Sequence, residues 1–510
     1  MINWLWVQST KLSAITMQRT LKVIPQCLLL LLPIWAGLLT GCNREALKRE
    51  RLAEGNKYYG QGNFKMASTM YSKAIEVDQR FGEAYYRLGL AQLQLNQLPA
   101  AEGSFHTFFD LVWRDGNIVS REAWPQVADA AVKVSDIYLK IHPGNRDYMN
   151  GIGYWSSVLL KADVNSFDGH RLLAEFLRFQ SMSGNRDALQ SAIGEFRRAN
   201  QLKPDNDSVL LALAGLLAYD HRYPEAEQIY WGLIKAHRSI IPAYTHLYET
   251  VTAQNVPARA TSILAQAIQS EGGNYQLFTS LAEQCFKTGT EADVLTILHH
   301  MEERAAEFHF PYFHLGALYE RLGNLDGALQ QYRNGLKVDP QRATKYREKI
   351  IEMLLAEGRT ADARSDLAPL LAASQPSYEV RLLNAWLEME EGSLTAAVTE
   401  LEKLRAENPS DPVLLCRLGK AFEREDKHEL AVQVYNQALK VQPGYLPAFL
   451  GLSELYLGRG QYYLAQKSAE DALAKERLNA RAKSLAAAIQ QKRGETARPA
   501  VSTTAYSSFN

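Results

Sequence analysis

His299, His300, Glu303 and His309, all of types that could bind a metal, crowd into the stretch LHHMEERAAEFHF. His299 and Glu303 stand one helical turn apart, a spacing at which an imidazole and a carboxylate can share a cation. The same stretch has the charge pattern of a solvated helix face, so an ordinary surface helix is expected and no metal site. Cys27, Cys42, Cys285 and Cys416 lack the close spacing of a zinc or thioredoxin-like pair. Cys285 and Cys416 fall inside amphipathic patterns, where a small buried thiol is the expected role. The sequence contains no glycine-rich phosphate loop, no G-x-S-x-G and no H-E-x-x-H. No catalytic residue and no cofactor are therefore expected, and the chemistry of the chain has to be sought in binding.

The 510 residues are 46% hydrophobic and 22% charged, too long a chain for one compact core. Lys+Arg and Asp+Glu both number 56, which supplies no field for nucleic acid. The apolar run CLLLLLPIWAGLL, from Cys27 to Leu39, follows Arg19 and Lys22 and ends in small residues. It has the order of parts of a secretory signal, and Pro33 interrupts it well short of the roughly 20 residues a spanning helix needs. Leu39-Thr40-Gly41-Cys42 resembles the lipobox of bacterial lipoproteins. The resemblance implies that Cys42 takes the lipid and becomes the first mature residue, with residues 1–41 as signal peptide. Asn43 follows, where aspartate would favour the inner membrane, so the resemblance implies an outer-membrane anchor facing the periplasm, with inner-membrane anchoring as the alternative. A start at Met17 rather than Met1 would give a more usual signal length.

Beyond Cys42 the chain repeats itself. Gly55, Ala67 and Tyr71 return 34 residues on as Gly89, Ala101 and Phe105. The fullest copy, YFHLGALYERLGNLDGALQQYRNGLKVDP, holds Tyr312, Leu315, Gly316, Tyr319, Ala328, Tyr332 and Pro340. Small or β-branched residues keep register at Ala226, Ala260, Val294, Ala328, Ala363, Ala397, Ala431 and Ala465. By these residues the chain resembles the tetratricopeptide repeat (TPR) family. The resemblance implies an all-α fold, a right-handed α-solenoid of helix-turn-helix repeats. The glycines are expected to oppose the alanines so that paired helices approach closely, with an aromatic or leucine one turn beyond each alanine filling the space to the next repeat. Pro204, Pro340, Pro409 and Pro443 mark ends of second helices.

The expected organisation is N-terminal repeats at 42–110, divergent helix pairs at 111–203, a regular array at 204–477, a capping helix at 478–494 and a disordered tail at 495–510. Within the divergent region one pair is expected at about 120–162 and another at about 166–203, with Trp113 to Pro125 as a special loop. Nearly all of the mature chain is thereby assigned to helix pairs, and no stretch remains for a separate catalytic domain.

What the family resemblance leaves for function is the concave face, lined mainly by first helices. The matching positions here include Tyr86, Tyr219, Phe286, Phe313 and Glu320, followed by Arg321, Trp386, Met389 and Arg424. Leu93, Glu283 and Lys420 fall on the same face. Trp386 with Met389 would form an apolar anchor of the kind enriched at interfaces. The carboxylate-clamp pattern of the family is not met, because Leu52 stands where a lysine is required, although Asn56 occupies one clamp position. The expectation is a non-enzymatic, lipid-anchored scaffold that binds a protein or peptide. Polysaccharide export, pilus assembly and outer-membrane assembly are the contexts implied. An enzyme or polysaccharide-binding solenoid using residues 111–203 or the groove is the alternative.

Overall fold

A computed structural model describes residues 44–497 apart from 115–116, 119–120, 289 and 309–310. Cys42, the signal segment, His309 and residues 498–510 lie outside the described residues. The chain is an α-solenoid: helix follows helix, each packed antiparallel-pair fashion on its sequence neighbour. It divides between Leu216 and Leu217 into two compact units.

The first unit holds α1 (44–60), α2 (Phe64–Val77), α3 (Gly82–Gln94), α4 (Leu98–Val112), α5 (Trp124–Ile141), α6 (Arg146–Ala162), α7 (Phe167–Ser181), α8 (Arg186–Leu202) and most of α9 (Asp207–Tyr219). α5 and α6 lie within 120–162, and α7 and α8 within 166–203. The stretch from Trp113 forms a two-residue antiparallel hairpin, Trp113 opposite Ile118 and Arg114 opposite Asn117, followed by a 3-10 turn at Arg121–Ala123. The Trp113 indole donates to the Tyr154 hydroxyl at 2.9 Å and lies beside Trp155, which pins the hairpin onto α6.

The second unit runs through α10 (Tyr223–Lys235), α11 (Ile240–Thr252), α12 (Pro257–Glu271), α13 (Tyr275–Thr288), α14 (Glu291–Glu303), α15 (Pro311–Arg321), α16 (Leu325–Val338), α17 (Ala343–Ala356) and α18 (Thr360–Leu371). It continues with α19 (Tyr378–Glu390), α20 (Leu394–Glu407), α21 (Pro412–Arg424), α22 (His428–Val441), α23 (Leu446–Gly458), α24 (Tyr462–Lys475) and α25 (Ala480–Ala497).

Three local devices set the repeat. The small register residues from Ala226 to Ala465 are all at most 1% exposed, so each marks a point where helices touch. Between the helices of a pair one residue adopts left-handed φ, at Gly62, Asn96, His221, Asn255, Gly323, Gly358, Gly392, Asp426 and Gly460. Glycine or asparagine suits this place because a left-handed residue ends a helix and satisfies its last carbonyls. Second helices end two residues before proline. Lys203, Asp339, Asn408 and Gln442 each have φ between −139 and −127 and ψ between 78 and 94, the extended backbone that the following proline enforces.

The partner of the regularly spaced glycines differs from expectation. A Cβ built on Gly55, Gly89, Gly316 or Gly419 would meet not an alanine but the ring of Tyr71, Phe105, Tyr332 or Tyr435 within 3 Å. Each ring lies flat on its own repeat's glycine. Tyr435 also fills the space over Gly451 of the next repeat, so one ring joins two repeats.

Candidate functional site

The inner residues of the second unit converge on a cavity of about 530 Å³. Its walls come from the first helices of successive pairs: Glu320 on α15, Glu352 on α17, Trp386 and Glu390 on α19, Arg417, Lys420 and Arg424 on α21, and Tyr445 and Glu454 near and on α23. Arg481 on α25 completes them. Helical spacing explains the set: Arg417, Lys420 and Arg424 recur at intervals of three and four, which keeps them on one face of α21.

Most of these charges are partnered. Arg424 Nη2 spans both carboxylate oxygens of Glu390 at 2.7 Å, and its Nη1 donates to the Met389 carbonyl. The Trp386 indole donates to Glu390 Oε1 at 2.9 Å. Lys420 pairs with Glu423 and Glu454, and Arg481 holds the other oxygen of Glu454. Lys349 bonds Glu352 at 2.7 Å and lies 3.8 Å from Glu320, which also accepts from the Tyr332 hydroxyl. Burial raises the Glu320 pKa above the ordinary carboxylate value against the pull of Lys349. Arg417 stacks on Trp386, its guanidinium carbon 3.2 Å from the ring centroid, and burial lowers its pKa.

Arg321 closes this unit on itself. It bonds Glu283 at 2.6 Å and Glu476 at 3.1 Å and lies over the Phe286 ring. A Cβ on neighbouring Gly323 would meet Ala480 at 2.7 Å, so the turn after α15 touches the start of α25.

The first unit has its own cleft, of about 670 Å³, between α5, α7 and the start of α9. Arg171 sits in it and donates to Asp136 at 2.8 Å and Asp168 at 3.3 Å. Burial alone would lower its pKa, but these two aspartates outweigh that and hold it above the ordinary guanidinium value.

The positions matched from the repeat pattern divide accordingly. Glu320, Trp386 and Arg424 meet at the cavity, Arg321 forms the closure beside it, and Phe313 is half-buried against Tyr332 and Tyr346. Tyr219 is exposed at the end of α9. Tyr86, Phe286 and Met389 are corrected: all are buried, because on their helices these positions point between helices rather than outward. Tyr86 adds a hydrogen bond to Asp129. Leu52 is buried, and Asn56 accepts from the Tyr71 hydroxyl. Among the histidines, exposed His299 pairs with Glu303 at 3.1 Å, while buried His300 meets the Gly272 carbonyl on a different side of α14. Among the described residues no group of three potential ligands could hold a metal. Pattern matching missed Arg417, Glu352 and Tyr445. An arginine breaking the apolar run VLLCRLG was the available signal for Arg417.

Comparison with known proteins gives a match to the tetratricopeptide repeat family model over residues 171–443 and to a TPR repeat model over residues 55–96. A curated human relative, "Protein O-mannosyl-transferase TMTC1", is 24% identical over 164 residues, which are 31% of this chain and 18% of that protein. The chain thus spans less than a fifth of that relative's length. Among solved structures, the APC/C hetero-tetramer Cut9-Hcn1 aligns over 88% of this chain and 90% of its own, at 12% identity and a TM-score of 0.31. Yeast Tom70 aligns over 89% and 98%, at 12% identity and 0.29.

Proposed function

The chain belongs to the tetratricopeptide repeat family, and on that basis we propose that it is a non-enzymatic, lipid-anchored scaffold that binds a protein or peptide partner along its inner face. The observation that carries the reading is the second unit's cavity, where first-helix residues present charged and aromatic groups rather than a sealed apolar core. A binding surface needs such a mixture, with an aromatic anchor and polar groups that fix orientation. The lipobox-like Leu39-Thr40-Gly41-Cys42 supports attachment at Cys42 to the outer membrane, facing the periplasm of a two-membraned bacterium. The several acyl chains of a bacterial lipoprotein would make such an anchor stable where one chain is marginal. Polysaccharide export, pilus assembly and outer-membrane assembly are the processes in which such a scaffold would serve.

Two experiments test this. Mass spectrometry of the mature N-terminus should find an acylated Cys42, and an unmodified chain that begins upstream removes the anchor. A pull-down from detergent-solubilised envelope should recover a reproducible partner that Trp386→Ala loses. Retention of every partner by both Trp386→Ala and Phe313→Ala would sink the inner-face reading.

A further inference from the structure

Arg417 differs from every other cation of the second unit's cavity. Lys420, Arg424 and Arg481 each have a carboxylate within 3.4 Å, and Arg417 has neither an ion pair nor a hydrogen bond to any described residue. Its one specific contact is the Trp386 ring, 3.2 Å from the guanidinium carbon. Stacking of this kind occupies the face of the guanidinium and leaves its donors, which lie in the plane, directed past the ring edge. Glu390, which accepts from the Trp386 indole, is also taken by Arg424. Glu352 is taken by Lys349.

We propose that Trp386 and Arg417 form an anion-binding site whose ligand is a carboxylate of a bound peptide, at its C-terminus or on an acidic side chain. The proposal rests on the scaffold reading above and names what one part of its partner carries. The unused donors and the surrounding carboxylates select the ligand. Glu320, Glu352, Glu390 and Glu454 oppose Arg417, Lys420, Arg424 and Arg481 around the cavity, so the lining is neutral as a whole. A ligand with a single negative charge then meets the least repulsion from those four carboxylates while taking the donors that Arg417 leaves unused. A phosphate carrying close to two charges would meet four carboxylates at the same time. The planar fork of arginine also fits a carboxylate through two parallel hydrogen bonds. Tyr445 and Trp386 beside it supply the apolar wall on which the rest of the peptide would lie.

An arginine kept without a hydrogen-bonding partner weakens the free protein, since Glu352 and Glu320 attract its charge only from a distance and its donors meet no protein acceptor until a ligand arrives. This separates a binding role from a structural one.

The test uses the mature chain and fluorescein-labelled hexapeptide pools of neutral residues, made with a free or amidated C-terminus and with or without one glutamate, read by anisotropy. Pools bearing a carboxylate should bind roughly 10- to 100-fold more tightly than the neutral amidated pool. Arg417→Gln should abolish that preference while leaving the melting temperature of the free protein unchanged or higher. Arg417→Lys should keep part of it, and inorganic phosphate should not compete. Preference for the free C-terminus alone, or for glutamate alone, tells the two carboxylate sources apart. Equal binding of all pools, an undiminished preference in Arg417→Gln, competition by phosphate, or a lowered melting temperature of Arg417→Gln would each overturn the proposal. Binding without preference leaves the scaffold reading standing. No binding by any pool overturns the carboxylate site, and the scaffold reading then falls only if the envelope pull-down is also empty.

Discussion

Arg171 and Arg417 make an instructive pair. Each sits on the first helix of a repeat and lines a cleft, and each is partly withdrawn from water. Arg171 has Asp136 and Asp168 at hydrogen-bond distance and its pKa rises; Arg417 has the Trp386 ring but no bonded carboxylate, and burial outweighs the more distant pull of Glu352 to lower its pKa. A cation on the inner face is therefore not a binding group by virtue of its position. What matters is whether the fold already satisfies it, and the two units answer differently.

The contrast can be attacked from several sides. The largest effect is expected at Gly316→Ala, where the new methyl group would lie 2.4 Å from the Tyr332 ring. Overpacking of this kind should cost about 1–3 kcal/mol in urea unfolding. It should also disturb the Tyr332 bond to Glu320, and so the second cavity alone. Equal damage to the first unit, seen by hydrogen exchange, would show that the two sites are not independent. Next comes Arg171→Met, which leaves Asp136 and Asp168 facing each other without a counter-charge. Both carboxylates are near half-exposed, so water screens them and the loss should be about 1–2 kcal/mol. If Arg171→Met proves as harmless to stability as Arg417→Gln is expected to be, the distinction between the two arginines collapses.

The smallest effect concerns pH. Burial raises the folded-state pKa of Glu320 above the reference 4.5. The folded state therefore holds this proton more tightly than the unfolded chain. Its favourable contribution is complete below pH 4.5 and is lost as pH rises through the raised folded value. Urea titrations of wild type and Glu320→Gln across that window should show the wild type losing stability relative to the variant as pH increases. A relative gain would mean that the Lys349 and Tyr332 contacts outweigh burial.

The solenoid was legible because it is written at a fixed period. Ala226 through Ala465 kept step in the sequence and are buried in the structure, since each repeat solves the same packing problem. The partner of each glycine was not legible: pairing small with small was plausible, but the flat ring one turn away fills the gap instead. Helix position placed Glu320, Trp386 and Arg424 at the cavity, yet the same reasoning put Phe286 and Met389 there. A helix face 100° wide meets both the neighbouring helix and solvent, and period alone cannot divide the two. Arg417 escaped notice for another reason. Its lack of a partner depends on Glu390 being held by Trp386 and by Arg424 of a neighbouring repeat, and Glu352 by Lys349, pairings that only the fold decides.

The bridge from Arg321 to Glu476 bears on how the second unit comes apart. A linear array of repeats, each touching only its neighbours, can peel from either end one repeat at a time. Here a pair near the middle of the chain is fastened to the last turns, and Gly323 touches Ala480 at the same place. The repeats between them form a closed circuit, in which no member is terminal. Their loss should therefore be collective rather than stepwise, and breaking the fastening with Glu476→Gln should restore fraying from the C-terminal end.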